Sequence, residues 1–120
     1  MLNLSPTTRI WICTAATDMR KGFDGLCGLI RQGLSSNPLS GEVFVFRNKS
    51  ADRVKILTFE GDGLAIYYKR LEAGRFHFPL AADGNRKVTL RAADLLMLLD
   101  GVDLESVKRQ KRYQRQPPSA

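Results

Sequence analysis

Short apolar segments separated by turn-forming residues recur along the chain, and three of them have the length and alternation of β-strands. Residues 9–13 (RIWIC) are rich in β-branched and aromatic side chains, which predicts a first strand. Residues 42–46 are largely apolar on both faces, as is typical of a central strand. Residues 53–59 form a partner strand, and the polar sequence at 48–52 predicts a turn before it. The pattern therefore predicts a β-hairpin.

Two further segments have the period of an α-helix. The first places apolar side chains three or four residues apart: Met19, Phe23, Leu26, Ile30 and Leu34. We expect Thr17 or Asp18 to cap its amino end. The second, residues 90–99, is apolar on most sides, with Thr89 as its cap and Gly101 at its end. This composition predicts deep packing or contact with a partner.

The first predicted helix is rich in glycine, although each glycine costs about 1 kcal/mol relative to alanine. The residues are Gly22, Gly25, Gly28 and Gly33. This composition predicts close approach of the helix backbone to another element. Packing on a sheet and a hinge or partner groove both remain open.

The segment between the hairpin and the last helix is ambiguous. Residues 64–73 fit the period of a strand as well as that of a helix, and Asp62 as a cap and Gly74 as a terminator favour the helix. Residues 75–79 predict a short strand, and residues 80–88 predict a polar loop.

Length and composition indicate one domain. The chain has 120 residues, of which 43% are hydrophobic, so it can bury a core. We predict an α+β domain over residues 1–107, with a central, mostly antiparallel sheet and two or three packed helices. Strand order and oligomeric state do not follow from the sequence.

The charge is unevenly distributed. The formal net charge is +7, and five of the 19 Lys and Arg residues lie within residues 108–120, which contain no acid. Residues 1–107 therefore carry 14 basic residues against all 12 acidic ones. We expect residues 108–120 to form a flexible basic tail that attracts polyanions without selecting their sequence.

Several classes of protein are disfavoured. The amino-terminal residues lack the pattern of a signal peptide, and the longest apolar run, near 92–99, is far shorter than the roughly 20 residues that span a membrane. Cys13 and Cys27 have neither metal-site nor disulfide-framework spacing, and the acidic residues form no metal motif. We expect a cytoplasmic, non-enzymatic protein with no metal and no cofactor.

Candidate binding residues lie within residues 41–79, where cations alternate with aromatic side chains. They are Arg47, Lys49, Arg53, Lys55, Lys69, Arg70 and Arg75. The first four cluster at the turn of the predicted hairpin, where they would form a positive patch of the size of a phosphate. Ordinary solvated charge is the structural alternative. Tyr67, Tyr68, Phe76 or Phe78 would stack on bases if exposed, and core packing is the alternative for them.

Five segments agree with one family in order, spacing and residue type. They are DMRKGFDGL (18–26), GEVFVFRNKSADRVKIL (41–57), GDG (61–63), YKRLEAGRFHFP (68–79) and LLMLLDGVD (95–103). Together they resemble the TnpB accessory protein of the insertion sequence 66 family, which is distinct from the RNA-guided nuclease of the same name. The family usually has an aromatic pair, such as one with a Trp, where this chain has His77 and Phe78, and this departure affects no candidate site.

The resemblance implies a role in transposition. Such proteins are encoded between a small DNA-binding partner and a large DDE-type transposase, and the family offers no catalytic residue to carry over. The positions that match its basic motifs are Arg20, Lys21, Arg47, Asn48, Arg53, Lys55, Lys69, Arg70 and Arg75.

We therefore predict an accessory protein that binds DNA with little sequence selectivity, or binds the transposase and other element-encoded proteins. The candidate nucleic-acid-binding residues are the seven cations named above together with Lys108, Arg109, Lys111, Arg112 and Arg115. The alternative is a pure protein–protein interaction subunit without DNA contact. No membrane partner is expected.

Overall fold

Five strands and two short helices organise the described part of the computed structural model, residues 4–79 and 84–101. In chain order the elements are β1 (Ile10–Cys13), α1 (Phe23–Gly28), a π-helical segment (Leu29–Gly33), β2 (Val43–Arg47), β3 (Arg53–Phe59), β4 (Leu64–Arg70), β5 (Lys87–Leu90) and α2 (Ala92–Leu99). No helix among the described residues is long and apolar enough to cross a membrane.

All five strands form one sheet in the order β4-β3-β2-β1-β5. β1 pairs with β2 in parallel, and the other three pairings are antiparallel. The predicted α+β fold with a mostly antiparallel sheet is confirmed. The predicted hairpin is present as β2 and β3, and β2 occupies the central position that its two apolar faces indicated.

Each face of the sheet buries its own core, because successive side chains of a strand point to opposite sides. One core joins Ile12, Val45 and Ile56 to Leu95 and Leu98 of α2, among other residues. The other core joins Phe44, Phe46 and Leu57 to residues of α1 and of the π-helical segment, including Leu26 and Ile30. The sheet therefore lies between α2 on one side and α1 on the other.

The prediction of a helix for residues 64–73 is wrong, because residues 64–70 form the edge strand β4. Seven consecutive residues pair with β3, from Phe59 opposite Leu64 to Arg53 opposite Arg70. Glu60 donates its backbone N–H to the carbonyl of Gly63 over 2.8 Å and closes the turn between the strands. This tight turn joins β3 directly to β4.

The strand predicted for residues 75–79 is absent, and an unpredicted strand, β5, begins in the predicted loop and extends through Leu90, the predicted first residue of the last helix. The backbone N–H of Phe76 bonds to the carbonyl of Ala51 in the β2–β3 turn, so this segment joins no strand ladder. β5 pairs along its whole length with β1, and Thr89 lies within it. Thr89 therefore does not cap α2, whose cap position is Arg91.

The first helix is shorter than predicted, because it begins at Phe23 after Gly22 and has no side-chain cap. Asp18 instead forms a turn, in which its backbone carbonyl accepts the N–H of Lys21. The glycines do not mark a close approach to the sheet. A Cβ at Gly22 or Gly28 would meet nothing within 4 Å, and Cβ atoms at Gly25 and Gly33 would meet only side chains of neighbouring turns.

Candidate nucleic-acid interface

Strand directions bring most of the candidate cations to one end of the sheet. β1 and β2 run parallel, so their carboxyl ends lie beside the β2–β3 turn, the end of β4 and the start of β5. We call this region the basic end and define it by Lys21, Arg47, Lys49, Arg53, Lys55, Arg70 and Arg75. The opposite end carries Glu42, Glu60 and Asp62.

Arg47 is half-buried at the end of β2 and holds the following loop in place. Its Nη2 donates to the carbonyl of Thr14 over 2.6 Å, and its own carbonyl accepts the N–H of Thr17 over 2.8 Å. Its buried Nε has no hydrogen-bond partner. The guanidinium is thus oriented by backbone carbonyls, which leave its positive charge intact.

Lys55 is the most buried of the candidate cations, with 9% of its surface exposed. Its Nζ donates to the backbone carbonyl of Lys21 over 2.7 Å and lies 4.7 Å from the ring centroid of Tyr68. A carbonyl dipole and an aromatic ring stabilise an ammonium without neutralising it. Lys55 therefore contributes a fixed positive charge beneath the surface.

Arg53 and Arg70 lie directly opposite each other on β3 and β4. Like charges in this register repel. Arg70 relieves part of that repulsion by donating from Nε to Oε2 of Glu72 over 3.0 Å, whereas Arg53 donates from Nη1 to the hydroxyl of Tyr68 over 3.4 Å. The cross-strand pair keeps two guanidinium groups close together at the basic end.

Lys49 and Arg75 are exposed and lie beside the β2–β3 turn. Asn48 braces that turn, since its side chain accepts the N–H of Arg53 and donates to Oδ1 of Asp52 over 2.6 Å. The bond from Phe76 to Ala51 brings the segment that carries Arg75 onto the same turn. Both exposed cations therefore lie on or beside a turn that is fixed by hydrogen bonds.

Lys69 lies on the opposite face of the sheet from Arg70 and forms a hydrogen bond with the end of α2. Its Nζ donates to the carbonyl of Leu99 over 3.0 Å, at the end of the helix, where unpaired carbonyls favour a cation. Lys69 also lines an open groove of about 490 Å³ together with Leu71, Arg75, His77, Leu99 and Asp100. The structure thus separates Lys69 from the hairpin cations, although it is adjacent to Arg70 in sequence.

Arg20, which matches a basic motif of the family, forms an ion pair with Asp18. Its guanidinium contacts both carboxylate oxygens of Asp18, the nearest at 2.7 Å. This hydrogen bonding lowers the pKa of Asp18 from 3.8 to about 2. The pair contributes little net charge to the basic end.

The charge of the basic end is largely uncompensated. In the described ranges, 4–79 and 84–101, the ion pairs are Arg9 with Glu42, Arg20 with Asp18, Arg70 with Glu72, and Arg91 with Asp94. Lys21, Arg47, Lys49, Arg53, Lys55 and Arg75 take part in none of these pairs. Such an excess of fixed positive charge creates a potential that attracts phosphates.

Of the aromatic residues considered for stacking, the structure exposes Tyr68 and places the others in or against the core. Phe76 is buried, and Tyr67 and Phe78 pack against the core on the α2 side. Tyr68 is 48% exposed on the face that also carries Arg53, Lys55 and Arg70. Strand alternation puts Tyr68 on the same face as Arg70, but it does not predict the exposure of the ring, because Leu64 and Ile66 on that face pack against a core.

The tail cations Lys108, Arg109, Lys111, Arg112 and Arg115 lie outside the described residues. Among the described residues, no three His, Cys, Asp or Glu side chains form a cluster suited to a metal ion.

Comparison with known proteins identifies similar sequences. The family described as "IS66 Orf2 like protein" matches residues 8–109. The chain is similar to uncharacterized protein y4hO of Sinorhizobium fredii (strain NBRC 101917 / NGR234), with 40% identity over 103 residues, which cover 86% of this chain and 88% of the relative. It is also similar to uncharacterized protein y4jC of the same strain, with 35% identity over 109 residues, 91% of this chain and 92% of that relative. No solved structure matched the chain.

Proposed function

We propose, since the chain belongs to the family of IS66 Orf2-like proteins, that it is a non-catalytic accessory protein of transposition that binds DNA through its basic end. The family associates the chain with the transposition machinery of insertion sequences and is an accessory family rather than a known catalytic one. In this proposal the protein contacts DNA in the cytoplasm.

The uncompensated cations of the basic end are the observation that supports DNA binding. Lys49 and Arg75 are exposed, Arg53 is partly exposed, and none of the three forms an ion pair within the described residues. Each phosphate that such a cation contacts releases condensed counterions, so binding weakens steeply as the salt concentration rises. Contacts of this kind position a protein on DNA and carry little sequence information.

Binding to the transposase is the second candidate function. Phe23 on α1 and Leu96 on α2 are large apolar side chains that are about half exposed. Both lie on the helices that cover the sheet, so a protein partner could contact either outer surface. This candidate predicts association that is insensitive to salt and to loss of the cations of the basic end.

A salt titration of DNA binding tests the proposal. Fluorescence anisotropy would compare duplexes of the element end and of scrambled sequence between about 50 and 200 mM salt. We expect similar affinities for the two duplexes and a steep salt dependence. Replacing Lys49, Arg53 and Arg75 together by Ala should reduce the magnitude of the salt slope by about three, because each cation accounts for about one unit.

Arg9→Ala is the matched control, because Arg9 is an exposed cation at the opposite end of the sheet, where it pairs with Glu42. Arg47 and Lys55 stay unchanged, since their loss would disturb residues 14–21 and confuse folding with binding. The proposal fails if the folded protein does not bind DNA at low salt. It also fails if Arg9→Ala weakens binding as much as the triple change does.

A further inference from the structure

Tyr68 is an exposed aromatic ring surrounded by cations. Its side chain belongs to β4 and has cross-strand neighbours on β3, where Lys55 is directly opposite. The Nζ of Lys55 lies 4.7 Å from the ring centroid, and Nη1 of Arg53 lies 3.4 Å from the hydroxyl. Arg70 follows two residues later on the same face of the strand.

These neighbours orient the ring and cover only part of it, with Lys55 lying over the ring. The lysine is itself fixed by the carbonyl of Lys21, so the contact with the ring has a rigid base. Nearly half of the surface of Tyr68 nevertheless remains exposed. By contrast, Tyr67, on the other face of the same strand, packs against the core. A tyrosine that is held in place and left open is suited to stacking on a planar partner.

Among the described residues, the two α-helices offer no cationic surface to bases, and the π-helical segment after α1 carries a single cation, Arg31. Neither α1 (FDGLCG) nor α2 (AADLLMLL) contains a Lys or an Arg, so neither resembles a cationic helix that enters a major groove. A ring on the face of a sheet reaches a base only when that base is unpaired, since the bases of a duplex stack on each other. Sheet-borne aromatic residues beside cations are the usual platform for single strands.

We propose that the face around Tyr68 binds single-stranded DNA, with a base stacked on the tyrosine ring and the flanking phosphates held by Arg53 and Arg70. This inference rests on the proposed function, because it names the form of DNA that the basic end prefers.

Abasic DNA separates stacking from charge. A thymidine oligonucleotide and a strand of equal length with abasic interior positions carry the same number of phosphates. Anisotropy at one fixed salt concentration would compare the two strands for the wild-type protein. We expect the wild type to bind the thymidine strand about 5- to 150-fold more tightly, which is the range for stacking of one base on an aromatic ring.

Two variants of the same residue test the role of the ring. Tyr68→Ala should bind the thymidine strand as weakly as the wild type binds the abasic strand, and should show no preference between them. Tyr68→Phe should keep the preference to within about twofold, because stacking needs the ring and not the hydroxyl. Circular dichroism and thermal melting would show that both variants are folded.

Leu96→Ala is the matched control. Leu96 is 51% exposed, which is close to the exposure of Tyr68, but it belongs to α2 on the opposite side of the sheet. We expect its preference between the two strands to equal that of the wild type. A similar loss in Leu96→Ala would overturn the inference.

The possible failures are distinguishable. If the wild type binds DNA in a salt-dependent way but binds thymidine and abasic strands equally, the stacking site is overturned and the proposed function stands. If Tyr68→Ala keeps the full preference, the stacking site is likewise overturned. If the wild type binds neither the single strands nor the duplex at low salt, the proposed function fails and this inference fails with it.

Discussion

At the scale of single residues, several cations are held by backbone carbonyls rather than by carboxylates. Arg47, Lys55 and Lys69 each donate to main-chain carbonyl groups. A carboxylate partner would cancel their charge, whereas a carbonyl dipole orients the group and leaves the charge in place. The same residues therefore support the local structure and contribute to the positive potential of the surface.

Asp18 provides the contrast, and its titration is a direct test of local structure. Hydrogen bonds from Arg20 lower its pKa from 3.8 to about 2. Because the folded pKa is lower than the unfolded one, the stabilising contribution is fully present above pH 3.8. It is lost as the pH falls through about 2.

We expect NMR titration of the Asp18 carboxyl group to give a midpoint near 2 in the wild type and a higher midpoint, between that value and 3.8, in Arg20→Ala, where the backbone N–H of residue 20 still donates to the carboxylate. Arg9→Ala, which removes a distant cation, should leave the midpoint unchanged. An Asp18 midpoint that Arg20→Ala does not move would show that the hydrogen bonds are absent in solution.

At the scale of elements, the glycines at the ends of α1 and α2 differ in backbone conformation. Gly28 has ordinary helical angles, with φ of −60° and ψ of −42°, and open space where a Cβ would lie. Gly101, just beyond α2, has φ of +82°, a conformation that disfavours other residues. The two glycines therefore have opposite structural roles, although both lie in or next to helices.

We expect Gly28→Ala to raise the free energy of unfolding by about 0.5–1 kcal/mol, because alanine loses less conformational entropy in a helix. Gly101→Ala should lower it by about 1–2 kcal/mol, because a Cβ is unfavourable at positive φ. Urea unfolding with an unchanged m-value would measure both effects. A loss of stability in Gly28→Ala would show that the backbone there does contact another element.

The sheet organises the molecule as a whole. β2 and β3 have a partner strand on each side, whereas β4 pairs only with β3 among the strands of the described residues. The strand order also sets the charge distribution, because it gathers Lys49, Arg53 and Arg70 at one end and Glu60 and Asp62 at the other. The basic end is thus a property of the topology.

Hydrogen exchange tests this arrangement. We expect the amides of β2 and β3 to exchange most slowly, since their opening requires disruption of both cores. The outward-facing amides of β4 should exchange faster, because they have no strand partner in the described part of the chain. Protection of β4 equal to that of β3, increasing with protein concentration, would contradict a free edge and indicate that another chain covers it.

Much of the central fold could be predicted from the sequence. β1, β2, β3 and α2 have apolar patterns that are long or regular enough to identify them locally. β4 and β5 were missed or misassigned because they are edge strands, of which β5 is short and polar. Their conformation depends on ladder bonds to β3 and β1, which periodicity does not record.

The same division applies to the candidate site. The sequence alone determined that the chain belongs with transposition accessory proteins, that its core is α+β, and that its cations accompany aromatic residues. Only the tertiary structure decided that Lys55 is buried, that Lys69 donates a hydrogen bond to the end of α2, and that Tyr68 is exposed. The physical reason is that residue type and spacing are local properties, whereas burial and partners depend on which distant strands lie side by side.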